Sequence, residues 1–366
     1  MSKTEITWNI EPHTEIKHEI LSRYLQAWLP IISKFGRANY VDGFAGPGKY
    51  SNGEDGSPII AIKSLINHKL RTNMNAQFNF IFIEENNNRC NHLKNELSKL
   101  IIPKEVKCKI AIECGSFEDK LNEILDTLEK NNSRLAPTFV FIDPFGIKGV
   151  PLDVVKRIMS QKSCEVLINF MYEEINRFIT LPQNEEHIKS LFGEDIEWRK
   201  VRQINNPKER YLFLTSLYQK QLTSCCGIEY IKTFKMVNKF NKEDYVLFFC
   251  SNKDLGLIKM KEAMWRADNS GNFSFSDATY NPKQMTLYEK EPNYRQLKNL
   301  ILQKFKGRKI KIDEIINFVR FETPFLESHL KKPILLPMEN NEEIEVIFER
   351  KRKSGTYPNG TIICFK

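Results

Sequence analysis

Residues 40–49, Tyr-Val-Asp-Gly-Phe-Ala-Gly-Pro-Gly-Lys, decide how this chain is read. A β-forming approach ends in an acid, Asp42, and runs into Gly43, Gly46 and Gly48. Glycines remove the Cβ atoms that would hold a ligand off the backbone, so a strand ending in such a turn suits a nucleotide-like group. The same run also occurs in ordinary turns. A second apolar run ends in Ile142-Asp143-Pro144-Phe145-Gly146, and two strand ends of this kind frame one site. The turn is not a P-loop, because Gly48-Lys49 is followed by Tyr50 rather than Ser or Thr.

Working outward, strand-like and helix-like segments alternate. The spacing predicts helices over 16–34, 57–70, 86–99, 117–131 and 151–160, with strands over 38–42, 78–84, 106–112, 138–142 and 164–170. After a long helical stretch come two strands, 228–238 and 243–250, joined by the short polar turn Phe240-Asn241-Lys242. This rhythm predicts an α/β doubly wound, mostly parallel sheet closed by an antiparallel pair. Near Glu289-Lys290-Glu291-Pro292 the pattern changes, so the expected domains are 1–290 and 291–366. Helix-like segments at 293–305, 311–318 and 323–331 precede strands 342–350 and 360–365. Three short helices and a hairpin suggest a small winged-helix-like α+β domain, with Arg350, Lys351, Arg352 and Lys353 beside the tip, where a wing meets a phosphate backbone. A solvated turn on a packing domain is the other reading.

The 366 residues are 41% hydrophobic and 28% charged, with a net charge of +9 and a pI near 9.0. That balance favours polyanionic partners through phosphate contacts. No apolar run approaches the roughly 18–20 residues that cross a bilayer, and no signal-like apolar stretch follows the first residues. The expected location is cytoplasmic, with no membrane partner. The eight cysteines show no paired C-x-x-C spacing, which predicts buried free thiols and no metal site.

A nucleoside cofactor in a doubly wound sheet lies across the carboxyl ends of the strands. Asp42, Gly43, Phe44, Gly46 and Gly48 occupy the first such end. Glu84 closes the second and is placed to accept hydrogen bonds from a ribose diol. At the third, Ser116 either reaches an adenine edge or starts a helix with Glu118 and Asp119. At the fourth, Asp143 and the Pro144 carbonyl suit an exocyclic amine, with Phe145 as a stacking neighbour, unless Pro144 and Gly146 only build a tight turn. Lys17, with His18, is placed where the first helix would fold over the crevice and meet substrate. Arg177 either contacts phosphate or pairs with Glu173 or Glu174.

With these motifs assembled, the chain resembles class I S-adenosylmethionine-dependent methyltransferases, which implies a seven-stranded sheet and S-adenosylmethionine as cofactor. More closely, Lys17-His18-Glu19-Ile20-Leu21, the stretch Tyr40–Tyr50, Gly56-Ser57-Pro58, Phe141–Gly146, Ile168–Met171, Asn176-Arg177 and Met260–Trp265 resemble the three-Cys-motif partner family (TcmP). In that family the three cysteines belong to a partner, a radical-SAM-like protein, so the resemblance implies such a partner here. The Lys-His element and the glycine turn are also similar to a family of ribosomal RNA adenine-N6 methyltransferases. Where amino-methylating enzymes carry Pro-Tyr, this chain has Phe145-Gly146, which shifts the stacking residue.

Three functions follow as expectations. The first is a nucleic-acid methyltransferase in which Asp42, Gly46, Gly48 and Glu84 hold the cofactor, while Asp143, Pro144, Phe145 and Lys17 handle the acceptor. The second is a non-catalytic scaffold that grips nucleic acid for the radical-SAM-like enzyme. The third is a nuclease using Asp42, Glu84, Glu113 and Asp143 around a divalent metal.

Overall fold

Along β1 (Arg37–Asp42), β2 (Gln77–Glu84) and β4 (Thr138–Ile142), aromatic and aliphatic residues alternate, and that period of two sets the faces of the central sheet. Tyr40, Phe80, Phe82 and Phe139 pack together on one face with Tyr24 and Trp28 of α1 (Pro12–Ile32). Val41, Ile83, Val140 and Ile142 belong to the aliphatic cluster of the other face, with Leu121, Val155 and Leu214 from the helices. The computed structural model describes residues 6–146, 150–193, 196–278, 291–348, 353 and 355–366.

Strands β3 (Cys108–Cys114), β5 (Cys164–Phe170), β6 (Tyr230–Val237), β7 (Glu243–Ser251) and β8 (Ser274–Ser276) complete an eight-stranded sheet of order β3-β2-β1-β4-β5-β7-β6-β8. β1 pairs in parallel with both β2 and β4, so the strand order reverses between β1 and β4. β7 lies antiparallel between β5 and β6. This is the expected doubly wound, mostly parallel sheet. The expected seven strands are joined by β8, a three-residue strand parallel to β6 that is too short to leave a periodic signal. β4 and β5 are buried at every position, so both faces are covered there, as a mainly parallel sheet requires.

The covering helices are α1, α2 (Ser57–Ile66), α3 (Asn87–Ser98), α4 (Phe117–Lys130), α5 (Leu152–Met159), α6 (Tyr172–Phe178), α7 (Glu185–Phe192), α8 (Pro207–Ser224) and α9 (Asp254–Ala267). Their starts follow local chemistry. Asn86 caps α3, Ser116 caps α4 and Asn206 caps α8 through side-chain oxygens that accept backbone N–H groups. Pro58 sits in the first turn of α2, where its missing N–H has no partner to lose.

One expectation is corrected. Cys90 of α3 and Cys114 at the end of β3 form a disulfide, so the thiols are not all free. Their separation of 24 residues carries no pairing signal in the sequence. None of the described helices is long and apolar enough to cross a membrane.

The chain divides into two units, Met1–Ala263 with Ser274–Tyr280, and Met264–Phe273 with Asn281–Lys366. The second contains α10 (Tyr294–Phe305), β9 (Lys309–Lys311), α11 (Ile312–Asn317), α12 (Leu336–Asn340), β10 (Ile344–Ile347) and β11 (Ile362–Phe365). Its three strands form an antiparallel sheet of order β10-β11-β9. The helix expected over 323–331 does not form as one element. Thr323 is extended and Pro324 follows it, so helix resumes only as a single turn at Glu327–His329 and then from Lys331.

Candidate active site

In a doubly wound sheet the crevice opens where strand order reverses, outside the carboxyl ends. Asp42 ends β1 and Asp143 follows β4, so these two acids flank that reversal. A cleft of about 1210 Å³ lies there, with Gly43, Phe44, Glu84, Ser116, Pro144 and Phe145 among its lining residues.

The glycine turn is locked from within. The Gly43 N–H donates to the Phe141 carbonyl at 2.9 Å, Ala45 to Ile83 at 2.9 Å and Gly46 to Glu84 Oε2 at 2.9 Å. The Phe44 N–H faces Asp42 Oδ1 at 3.3 Å. Four consecutive donors are therefore consumed, so residues 43–46 offer no nest of free N–H groups to a phosphate. Gly46 and Gly48 take φ values of +63° and +85°, which glycine adopts at little cost. Gly43 has a packing reason to be glycine, since a Cβ there would lie 2.4 Å from the Phe117 ring.

Glu84 is buried and braces the turn. Its Oε2 accepts from Gly46, and its Oε1 accepts from the Asn86 N–H at 2.8 Å. A carboxylate has lone pairs beyond these two bonds, so hydroxyl donors still find acceptors. Asp42 is wholly buried, and its Oδ2 has no hydrogen-bond partner among the described residues. Burial pushes its carboxyl up to about 7, and the charges of Asp143 and Glu84 add to this. The Phe44 N–H and the neighbouring Ser57 hydroxyl oppose the shift. The buried Tyr40 hydroxyl, two residues back on the same strand face, approaches this carboxyl without reaching good hydrogen-bond geometry, and burial with that charge holds it well above its ordinary value.

At the end of β4, α1 brings Lys17 over the sheet. Lys17 Nζ lies 2.5 Å from Asp143 Oδ2 and over the Tyr245 ring, 5.3 Å from its centroid. Asn169 Nδ2 donates to Asp143 Oδ1 at 2.6 Å. Because a carboxylate only accepts from a neutral amide, this contact orients the Asn169 side chain, and its buried Oδ1 is left without a partner. His18 is buried beside Lys17, and burial with that cation lowers its imidazole to about 3, so it is neutral. Phe145 stands 46% exposed, its ring edge-to-face with Trp8 at 5.6 Å.

Ser116 lines the cleft while accepting the Asp119 N–H at 3.1 Å, so it both caps α4 and faces the crevice. Arg177 is exposed and lies over the Phe178 ring at 5.1 Å, with no carboxylate in ion-pair reach among the described residues. Lys353 is exposed, and Arg350, Lys351 and Arg352 lie outside the described residues. Among the described residues no group of three or more His, Cys, Asp or Glu side chains is arranged to hold a metal. Three participants went unassigned in the sequence: Asn169, Arg89 and Trp8. Asn169 sits near the end of the apolar run of β5, which was a visible signal, whereas Trp8 and Arg89 come together only through the fold.

No protein-family model matches the chain, and no curated protein matches it in sequence. Among solved structures it is similar to Trm1 from Pyrococcus horikoshii in complex with S-adenosyl-L-methionine, at 10% identity and a TM-score of 0.39. That likeness covers 70% of this chain and 59% of the archaeal one, so the chain spans less than two thirds of it. It is also similar to LPL1258 from Legionella pneumophila, described by the family model DUF519, at 15% identity and a TM-score of 0.37 over 65% of this chain and 84% of that one. A third likeness is to the methyltransferase domain of bacterial CtHen1, at 8% identity and a TM-score of 0.30 over 63% and 99% of the two chains.

Proposed function

We propose that this chain is an S-adenosylmethionine-dependent methyltransferase whose acceptor is a base of nucleic acid. One observation carries the reading: the crevice at the strand-order reversal is rich in carboxylates, and the first four residues of its glycine turn, 43–46, have spent their N–H donors. A pyrophosphate needs free donors and repels acids, whereas a cationic nucleoside with a ribose diol needs acceptors. Glu84 supplies them for the diol, and the Oδ2 of Asp42, buried near the Tyr40 and Ser57 hydroxyls, supplies one for a donor group. Ser116 and Phe44 line the remaining wall. The residues therefore fit the cofactor, which when bound supplies an electrophilic methyl group on a sulfonium.

The chain's own contribution is orientation. Lys17 and Asn169 hold Asp143 by one oxygen each, so the carboxylate is fixed before an acceptor arrives. The unpartnered Oδ1 of Asn169 and the Pro144 carbonyl offer acceptors for an amine N–H, which keeps the nitrogen lone pair free for attack. Equilibrium titration of the purified chain with S-adenosylmethionine tests this. Binding is expected, and its absence with and without nucleic acid would remove the reading.

In the second unit, the order helix, strand, helix, hairpin with β9 pairing to β11 supports a winged-helix reading, with Lys353 beside the hairpin. The net charge of +9 supports a nucleic-acid partner for the protein. The resemblance to the three-Cys-motif partner family extends the proposal to a radical-SAM-like protein. A scaffold role beside that protein is the second reading, and the prior neutralisation of Asp143 by Lys17 favours it. Co-purification separates the two: a stable complex without intrinsic methyl transfer supports the scaffold.

A further inference from the structure

Trp8 precedes α1 and is tied down by its backbone, whose carbonyl accepts the Ser51 N–H at 2.9 Å, while Asn9 Oδ1 accepts the Ser51 hydroxyl at 2.6 Å. Its ring lies across the glycine turn, within 3.8 Å of the place a Cβ on Gly46 would take. It meets Phe145 at 5.6 Å and Tyr50 at 5.9 Å, both edge-to-face, and the Arg89 guanidinium lies over it at 5.0 Å. Trp8 and Phe145 stand perpendicular, so the two rings meet at a corner. Phe145 follows Asp143 by two residues and is 46% exposed.

We infer that Trp8 is the second wall of the acceptor site: an unstacked base of single-stranded nucleic acid seats against the exposed Phe145 face, with its edge against Trp8. The inference rests on the methyltransferase reading for the identity of the acceptor. Three features favour a base over another apolar group. Perpendicular rings suit a flat ligand, Arg89 adds a cation at the corner, and aromatic stacking is indifferent to base identity. Stacking of this kind is worth enough per base that loss of one wall weakens binding about tenfold.

The chain reports on this directly. Of its four tryptophans, Trp28, Trp198 and Trp265 are buried, and only Trp8 is partly exposed. The experiment titrates the full chain at fixed salt with a mixed-sequence single-stranded oligonucleotide, following tryptophan emission and, with a labelled strand, anisotropy. The expected result is quenching in the wild type and loss of quenching in Trp8→Phe with affinity retained. Trp8→Leu should bind about tenfold more weakly, with circular dichroism as the folding control. Wild-type-like affinity in a folded Trp8→Leu, absence of quenching on binding, or no binding by the wild type overturns the inference. A parallel titration with S-adenosylmethionine keeps the two readings apart. Trp8-dependent strand binding without cofactor binding leaves this inference standing and removes the methyltransferase reading. Cofactor binding with Trp8-independent strand binding does the reverse.

Discussion

Lys17 Nζ and Asp143 Oδ2 meet at 2.5 Å although 126 residues separate them, and both side chains are largely out of solvent. The pair joins the first helix to the end of β4. Removing one partner leaves an uncompensated charge where little water reaches it, which costs more than the pair itself contributes. Lys17→Met is therefore expected to lower stability by about 3 kcal/mol in urea titration. Lys17→Met combined with Asp143→Asn should cost less than the sum of the single changes, because neither stranded charge remains. Additive losses would show that the contact carries no coupling.

Glu84→Gln tests the brace under the glycine turn. Both Glu84 oxygens accept backbone N–H groups, from Gly46 and from Asn86. A glutamine turned either way sets its NH₂ against one of those donors, leaving a buried N–H without a partner. The expected cost is about 1–3 kcal/mol. Affinity for S-adenosylmethionine in calorimetry should fall more than tenfold, since the turn and the diol acceptor are lost together. Unchanged cofactor affinity would separate Glu84 from the binding site.

Much of this geometry was legible because each acid ends an apolar run. In a parallel sheet, strand ends share one edge, so Asp42, Glu84 and Asp143 had to fall together once the strands were recognised. The role of Asn169 depended on strand neighbours: Ile142 of β4 registers with Ile168 of β5, which sets Asn169 beside Asp143. No local pattern encodes that adjacency. β9 was missed because its three residues place one buried Ile310 between two exposed lysines, a pattern that any short loop shares. Trp8 over the glycine turn and the Cys90–Cys114 pair are products of tertiary packing, with no periodic signature along the chain.

The disulfide ties α3, which carries Arg89 on the cleft wall, to the end of β3 just before Gly115 and Ser116. Closing a loop of this length stabilises a domain by about 3 kcal/mol in the chain-entropy account. Alkylation of the unreduced, denatured chain should label six cysteines, with Cys90 and Cys114 protected. Reduction should then label all eight of the sequence and lower the unfolding midpoint. Labelling of all eight before reduction would refute the pairing.

With Asp42 in the cofactor-binding role proposed above, stability and cofactor affinity should respond to pH in opposite directions. Its carboxyl is held up to about 7 in the fold, against an ordinary value of 3.8, because it is wholly buried. Between those two values the folded chain binds more protons at this site than the unfolded chain does. Its contribution to stability therefore falls as pH rises from about 4 to about 7, and the penalty is complete above that window. Asp42→Asn removes the titration, so its stability should vary less than that of the wild type between pH 5 and pH 8 in urea titration. The ionised carboxylate is the form that accepts hydrogen bonds from, and attracts, a cationic ligand. S-adenosylmethionine should accordingly bind the wild type more tightly at pH 8 than at pH 6. In Asp42→Asn that pH dependence should be lost. If the wild type binds equally at both values, Asp42 Oδ2 is not the acceptor for the cofactor's donor group.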